Sequence, residues 1–420
     1  MILQGWRLCS SRSSLSGFVR STIHRLRRYF RPLPPTPECA LVLSGGGARS
    51  AYQVGVLQYI AGAFPASRFS IVQGVSAGAI NAAHLANDLS PFPEAVDHLV
   101  QCWGMLRTEN VFQSESSARF LWNMLRPGRE GNSGIDDNEV SQKGLLDTAP
   151  LRAFLVDKFE APDGCLTRVA DNLKNGSLKA LALITTSYAT GQTVTWVHGR
   201  DIRSWERANR VGINTEISVD HVMASASLPF LFPAVRIGDV WYGDGGIRLS
   251  APLAPAVHLG ADRIMAISTR YDRTRKEADE PLIHGYPPGA QILGLLMDAI
   301  FLDTLDQDAL MIERINRLLE RLPERKRDGL RPVKFLLLRP SVDLGKLSGE
   351  FEPDLHGPLR LLARGLSSDK TKSPDWLSML LFDPEYTLRI MEIGYEDALR
   401  QHEKIASFLG PESYALVFHG

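Results

Sequence analysis

The stretch Ser70-Ile71-Val72-Gln73-Gly74-Val75-Ser76-Ala77-Gly78-Ala79-Ile80-Asn81-Ala82-Ala83-His84-Leu85 decides the fold. Ser70 to Gln73 is a short apolar run of the kind that forms a strand, and Ala79 to Leu85 reads as a helix. Between them lies Gly74-Val75-Ser76-Ala77-Gly78, a G-x-S-x-G sequence in the strand-to-helix context that a nucleophile elbow requires. A serine on so sharp a turn takes a strained backbone conformation that leaves no room for neighbouring β-carbons, which gives Gly74 and Gly78 their place. A helix beginning at the serine also aims its first N–H groups at negative charge forming there.

Outward from this turn the same rhythm recurs. Ala40 to Leu43, Leu181 to Thr186, Thr193 to His198, Ile264 to Ser268 and Val333 to Leu338 are further candidate strands bounded by turn residues or helix-like text. Several are continuous apolar runs, the pattern of strands covered on both faces by helices. The expectation is therefore an α/β protein, a three-layer α/β/α sandwich around a mainly parallel central sheet. Beyond about residue 280 the text turns helical, with Ile292, Leu296, Ile300, Ile312, Ile315 and Leu319 at roughly helical intervals. A further helix opens at Asp383-Pro384-Glu385, which supplies an N-cap, a proline at the first helical position and a first-turn carboxylate. Ser348 to Lys372 reads as a long surface loop.

With 44% hydrophobic and 22% charged residues in 420, the composition is that of a globular protein with a large core. Lys+Arg and Asp+Glu are both 47, so no global field gathers nucleic acid or an acidic membrane, and any charge-driven docking must be local. The four cysteines, Cys9, Cys39, Cys102 and Cys165, lack the spacing of a disulfide scaffold or a zinc site. A reducing compartment is the simpler expectation, and no run of ~18 apolar residues suggests a membrane span.

Local charge asymmetry exists at the start of the chain, where Arg7, Arg12, Arg20, Arg25, Arg27, Arg28 and Arg31 occur without any Asp or Glu. Interleaved apolar residues suit an amphipathic segment lying on anionic lipid, although a mitochondrial transit peptide and a disordered basic tail share the composition. Pro32, Pro34, Pro35 and Pro37 then read as a stiff linker. The expected organisation is a basic segment and linker over 1–37, a catalytic domain over 38–280, and a mainly helical extension with one strand over 281–420. The expected location is cytoplasmic, with peripheral membrane contact through residues 1–37 or a mitochondrial address as alternatives.

Two other stretches carry chemistry. Gly45-Gly46-Gly47-Ala48-Arg49 follows the apolar Ala40 to Leu43 and opens a helix through Tyr52, Val56 and Leu57. Three glycines at such a turn leave N–H groups bare and pointing outward. A dinucleotide-binding turn would need a last glycine where Ser50 stands and an acidic residue ~20 positions on, and a P-loop would need Gly-Lys-Ser/Thr. An oxyanion hole for acyl transfer fits best. Asp244-Gly245-Gly246 ends the strand-like Val240-Trp241-Tyr242-Gly243 with a carboxylate held by small residues. Upstream, the small-residue run Ala224 to Ser227 stops at Pro229 and bends through Phe232-Pro233.

In this order the motifs resemble those of the patatin-like phospholipase family, over roughly Leu41 to Thr269. The resemblance implies a patatin-like fold and places the oxyanion hole on Gly45, Gly46, Gly47 and Arg49, the nucleophile on Ser76, and its only side-chain partner on Asp244. Ala224, Ser225, Pro229 and Phe232 match the segment that precedes the family's aspartate, while Ser50 departs from the usual glycine. The implied activity is hydrolysis of lipid acyl esters, of phospholipase A or lysophospholipase type, through an acyl-enzyme. A carboxylate is a weak base for a hydroxyl, so Asp244 should occupy a desolvated setting that raises its pKa. The reading implies a lipid or ester partner, no nucleic acid, no metal and no diffusible cofactor. Two alternatives stay open: a Ser-Asp-His α/β-hydrolase using His258 or His284, and a catalytically silent lipid-binding scaffold. His84 and His221 read as surface or satisfied core histidines, and Trp103, Trp122 and Met124 as core residues or the lining of a lipid channel.

Overall fold

The computed structural model describes residues 37–114, 144, 146–279, 292, 295–296, 299, 304–351 and 378–410. The basic segment, His284, Ile300, Trp122, Met124 and nearly all of the Ser348 to Lys372 stretch lie outside the described residues. The described residues from Glu38 onward belong to one compact unit.

Among the described residues ten strands form the main sheet, in the order Lys334–Leu338, Arg263–Ile267, Cys39–Leu43, Ile71–Val75, Ala180–Ser187, Thr193–Gly199, Arg210–Asn214 and Trp205–Arg207, with Val240–Asp244 and Val235–Ile237 branching from Ala180–Ser187. The first five strands are mutually parallel, and antiparallel pairing begins at Thr193–Gly199. All six strands expected from the sequence are present within one or two residues at each end. Alternation along each strand divides the core between the two faces. Leu41, Leu43, Val72, Leu181, Leu183, Met265 and Ile267 face the helices Ala51–Ala63, Ala77–Asn87, Phe92–Met105 and Pro384–Arg400. The smaller Ala40, Val42, Ala180, Ala182 and Ala266 face Ala254–His258 and the start of Thr304–Glu320. The sheet is thus covered on both sides, as the continuous apolar runs require.

Two features position the site. Ile71–Val75 runs directly into Ser76, and helix Ala77–Asn87 begins on the next residue, so the turn is tighter than a strand ending at Gln73 would make it. Helix Pro384–Arg400, capped by Asp383 Oδ1 on the N–H groups of Glu385 and Tyr386, crosses Ala51–Ala63 at close range. A Cβ on Gly55 would lie 1.8 Å from Met391 O, and one on Gly394 would lie 2.2 Å from Tyr52 O. Glycine on each helix lets the backbones touch, which fixes the helix behind the Gly45–Gly47 turn.

Candidate active site

Strand register brings the two motif residues together. Ala180–Ser187 pairs through Ile184 with Val75 in parallel, and through Thr185 with Asp244 in antiparallel. Ile71–Val75 and Val240–Asp244 therefore run up to the same point on one long strand from opposite ends, and Ser76 and Asp244 meet there. Ser76 has φ +56° and ψ −134°, a backbone region costing a non-glycine residue on the order of 1–3 kcal/mol. A Cβ on Gly74 would lie 2.2 Å from Gly78 O, and one on Gly78 would lie 2.4 Å from Ser44 O. Both elbow glycines are thus dictated by close backbone approach.

The Ala224 to Pro233 segment holds both residues. Ser76 N–H donates to Ser225 Oγ (3.0 Å), whose hydroxyl donates to Ile184 O (2.6 Å), and Asp244 N–H donates to Ser227 O (3.0 Å). Thr186 Oγ1 donates to the Asp244 carbonyl at 2.9 Å. Ser225, matched above only by motif position, is thereby the clamp between elbow and sheet.

Asp244 is fully buried (0% exposed) and Ser76 nearly so (3%). Asp244 Oδ1 accepts the Gly246 N–H at 2.8 Å, while Oδ2 has no well-formed hydrogen bond among the described residues. Burial pushes the carboxyl up to about 7, against smaller downward pulls from the neighbouring Ser76 side chain and the Gly246 N–H. The Ser76 hydroxyl acts on the carboxyl as a hydrogen-bonding neighbour but stops short of a fully formed bond. The desolvated setting expected from the weakness of a carboxylate base is present.

The glycine turn lies against the serine: a Cβ on Gly45 would come within 3.0 Å of Ser76 Cβ. Gly45 O accepts the Thr269 hydroxyl at 2.6 Å, and because a trans peptide holds C=O and N–H on opposite sides, this bond also aims the Gly46 N–H away from Thr269. Among the described residues, the N–H groups of Gly45, Gly46 and Gly47 donate to no protein acceptor. Gly46 (φ +151°) and Gly47 (φ +56°) occupy backbone regions that favour glycine. Arg49 is buried and donates Nε to Ser378 Oγ at 2.6 Å, and a Cβ on Gly47 would lie 2.1 Å from Met379 O. The chain around residue 379 is therefore packed onto the turn.

Sequence reasoning overlooked the polar residues that brace this turn. Trp103 Nε1 donates to Asn81 Oδ1 (2.7 Å), Asn81 Nδ2 to Gln53 Oε1 (2.9 Å) and Ser50 O (3.3 Å), and Gln53 Nε2 to Ser44 O (2.8 Å). This buried chain ties three helices to both ends of the glycine turn. The available signal was amide side chains inside otherwise apolar helical runs, Gln53 after the glycine turn and Asn81 after the elbow.

Two cavities meet at Ser76. The smaller holds Asp244, Gly45 and Gln73. The larger is a narrow apolar cleft that leaves Ser76 between Ala77–Asn87, Phe92–Met105 and Ala149–Lys158, walled by Leu99, Trp103, Leu155, Phe232, Met379 and Phe382 among others. Trp103 thus lines a channel as well as contributing to the core. No hydrogen bond joins a described histidine to Ser76 or Asp244. His258 stacks on Trp205 (5.4 Å between ring centres), and His221 accepts from its own helix cap at Ser218. His84 is buried, but against the expectation of a surface or satisfied core histidine its Nε2 has no partner among the described residues.

Among the described residues no helix is long and apolar enough to cross a membrane. No curated protein sequence matches the chain. Among solved structures, VipD from Legionella pneumophila is similar at 14% identity over 90% of this chain and 71% of its own, with a TM-score of 0.36. Human GIVD cytosolic phospholipase A2 is similar at 12% identity over 98% of this chain and 65% of its own, with a TM-score of 0.44. The chain thus spans about two thirds of the length of these proteins. The sequence profile described as patatin-like phospholipase matches residues 41–257, just over half of the 420 residues and the whole span from the glycine turn to Asp244. By this match the chain belongs to the patatin-like phospholipase family, a family of lipid acyl hydrolases.

Proposed function

We propose that the protein hydrolyses acyl esters of lipids with a Ser76–Asp244 dyad. The observation that carries the reading is the fully buried Asp244 beside Ser76, with one carboxylate oxygen that has no hydrogen-bond partner among the described residues and no described imidazole bonded to either. Asp244 Oδ2 takes the Ser76 proton as Oγ attacks the ester carbonyl. The oxygen that becomes negative is stabilised by N–H groups of the Gly45–Gly47 turn, held in place by Thr269 before the reaction starts. Collapse of the tetrahedral intermediate expels the alcohol, which leaves with the proton held by Asp244. Water then gives a proton to Asp244 and attacks the acyl-enzyme, and collapse of the second tetrahedral intermediate returns that proton to Ser76 Oγ as the fatty acid leaves. The apolar cleft beside Ser76 takes the acyl chain, and a phospholipid or lysophospholipid is the substrate class that fits the family.

A triad through His258 is disfavoured by that ring's stacking on Trp205. The direct test is Ser76→Ala with a serine-directed fluorophosphonate probe. Loss of ester hydrolysis by about 10³-fold or more, with labelling confined to Ser76, is the expected outcome. Labelling of another residue, or full activity in the variant, overturns the assignment.

A further inference from the structure

The larger cleft shares part of its wall with a polar cavity. Its lining includes His84, Cys102, Lys158 and Phe159, and the same four residues line a second, polar cavity that also contains Asn87. His84 and Asn87 are both buried, and at each a polar atom, His84 Nε2 and Asn87 Oδ1, has no hydrogen-bond partner among the described residues. Asn87 uses its other end to donate to Phe159 O at 2.9 Å. An unpaired acceptor of this kind is costly unless something outside the protein's own side chains satisfies it.

The chemistry of the pair selects a ligand group. Asn87 Oδ1 can only accept, so its partner must donate a hydrogen bond, which a carboxylate cannot do. Burial holds the His84 pKa down at about 4, so the ring is neutral at neutral pH and offers no charge to an anion. The cations nearby are already paired: Lys158 with Asp157 (3.1 Å), His98 with Asp88 (2.7 Å) and Arg168 with Glu160 (3.1 Å). A hydroxyl both donates and accepts, and fits where a carboxylate or a bare methyl end does not.

We infer that the far end of the acyl cleft is a hydroxyl-binding site, and that the protein prefers acyl chains bearing a hydroxyl well along their length. The inference rests on Ser76 being the acylated residue. His84 and Asn87 lie on the helix that begins after Ser76, and at ~1.5 Å per residue they are about 12 and 16 Å from it. An extended chain of ~1.5 Å bonds advances roughly 1.25 Å per carbon, so the hydroxyl belongs about ten to thirteen carbons from the ester carbonyl.

The test compares 4-nitrophenyl 12-hydroxydodecanoate with 4-nitrophenyl dodecanoate and the 6-hydroxydodecanoate, each below its aggregation concentration, with the butanoate ester as a reference too short to reach His84. Wild-type protein should show kcat/KM for the 12-hydroxy ester about threefold or more above dodecanoate, and about tenfold or more below it for the 6-hydroxy ester, whose hydroxyl lies against apolar walls. His84→Leu and Asn87→Leu should each bring the ratio of 12-hydroxy to plain ester below one, a ratio read within one sample and insensitive to the folded fraction. A 12-hydroxy ester slower than dodecanoate, with butanoate still cleaved through Ser76, overturns this inference and leaves the hydrolase reading standing. A ratio unchanged in both variants overturns it equally. Failure to cleave even the butanoate ester overturns the hydrolase reading and this inference with it.

Discussion

Replacing Asp244 by asparagine should make the protein inactive and, above neutral pH, more stable. The carboxyl is fully buried and its pKa rises from 3.8 to about 7, chiefly because burial disfavours its charge. In the unfolded chain it releases its proton near pH 4, whereas in the folded protein it keeps the proton to about pH 7. Between these values the folded state binds more protons than the unfolded state, so stability falls as pH rises through this window. The shift of about three units at ~1.4 kcal/mol each sets a ceiling of about 4 kcal/mol on the cost of ionising Asp244. Asparagine keeps the acceptor for the Gly246 N–H but cannot ionise. Urea denaturation of the two proteins at pH 4, 6 and 8 should therefore give similar stability at pH 4 and a gain of roughly 2–4 kcal/mol for Asp244→Asn at pH 8. In parallel, wild-type kcat/KM should rise with pH to a plateau above about 7, and the variant should lose about 10³-fold or more at every pH. A variant less stable than wild type at pH 8, or a difference independent of pH, would refute the claim that Asp244 is held ionisable at a cost to the fold.

Substitutions at three further positions probe the rest of the site. His258→Ala should retain hydrolysis of a short soluble ester within about tenfold, a barrier change of ~1.4 kcal/mol, and a folded variant as inactive as Ser76→Ala would restore the triad. Thr269→Val strips the hydroxyl from the Gly45 carbonyl and should lower kcat about tenfold with little change in KM, while Thr269→Ser should recover most of the loss; steady-state kinetics of the pair separate a lost hydrogen bond from a packing defect. Gly46→Val would put a Cβ 2.4 Å from Thr269 Oγ1 and should cost ~2.7–4 kcal/mol in kcat. Unchanged kcat in a folded Gly46→Val protein would remove the turn from the mechanism.

What the sequence made legible are features whose physical cause is local. Ser76 needs a positive φ and bare neighbours, so the elbow is written in five consecutive residues, and the strands at the centre of the sheet are buried on both faces, so they appear as unbroken apolar runs. The strands Trp205–Arg207 and Arg210–Asn214 are short, polar and half exposed at the sheet's far edge, and nothing in their composition separates them from a loop. Val235–Ile237 is obscured in the same way, its partner Val240–Asp244 being visible only because it ends in Asp-Gly-Gly.

The residues that hold the site were harder to see, because a hydrogen-bond partner belongs to the tertiary fold. Gln53 and Asn81 are 28 positions apart, and Thr269 reaches Gly45 across 224. Read alone, each polar residue among apolar ones suggests a surface position, yet all three are buried and paired. The same inversion applies to Met379, whose backbone packs on Gly47 although it lies more than a hundred residues beyond the matched span of 41–257. A turn built from three glycines has little packing of its own, and the entropy of ordering it must be met by neighbours. The buried amide chain and the segment around Met379 supply that order from outside the motif. The chemistry we propose is therefore legible in the motifs, whereas the rigidity of the glycine turn to which we assign the oxyanion is distributed over the rest of the fold.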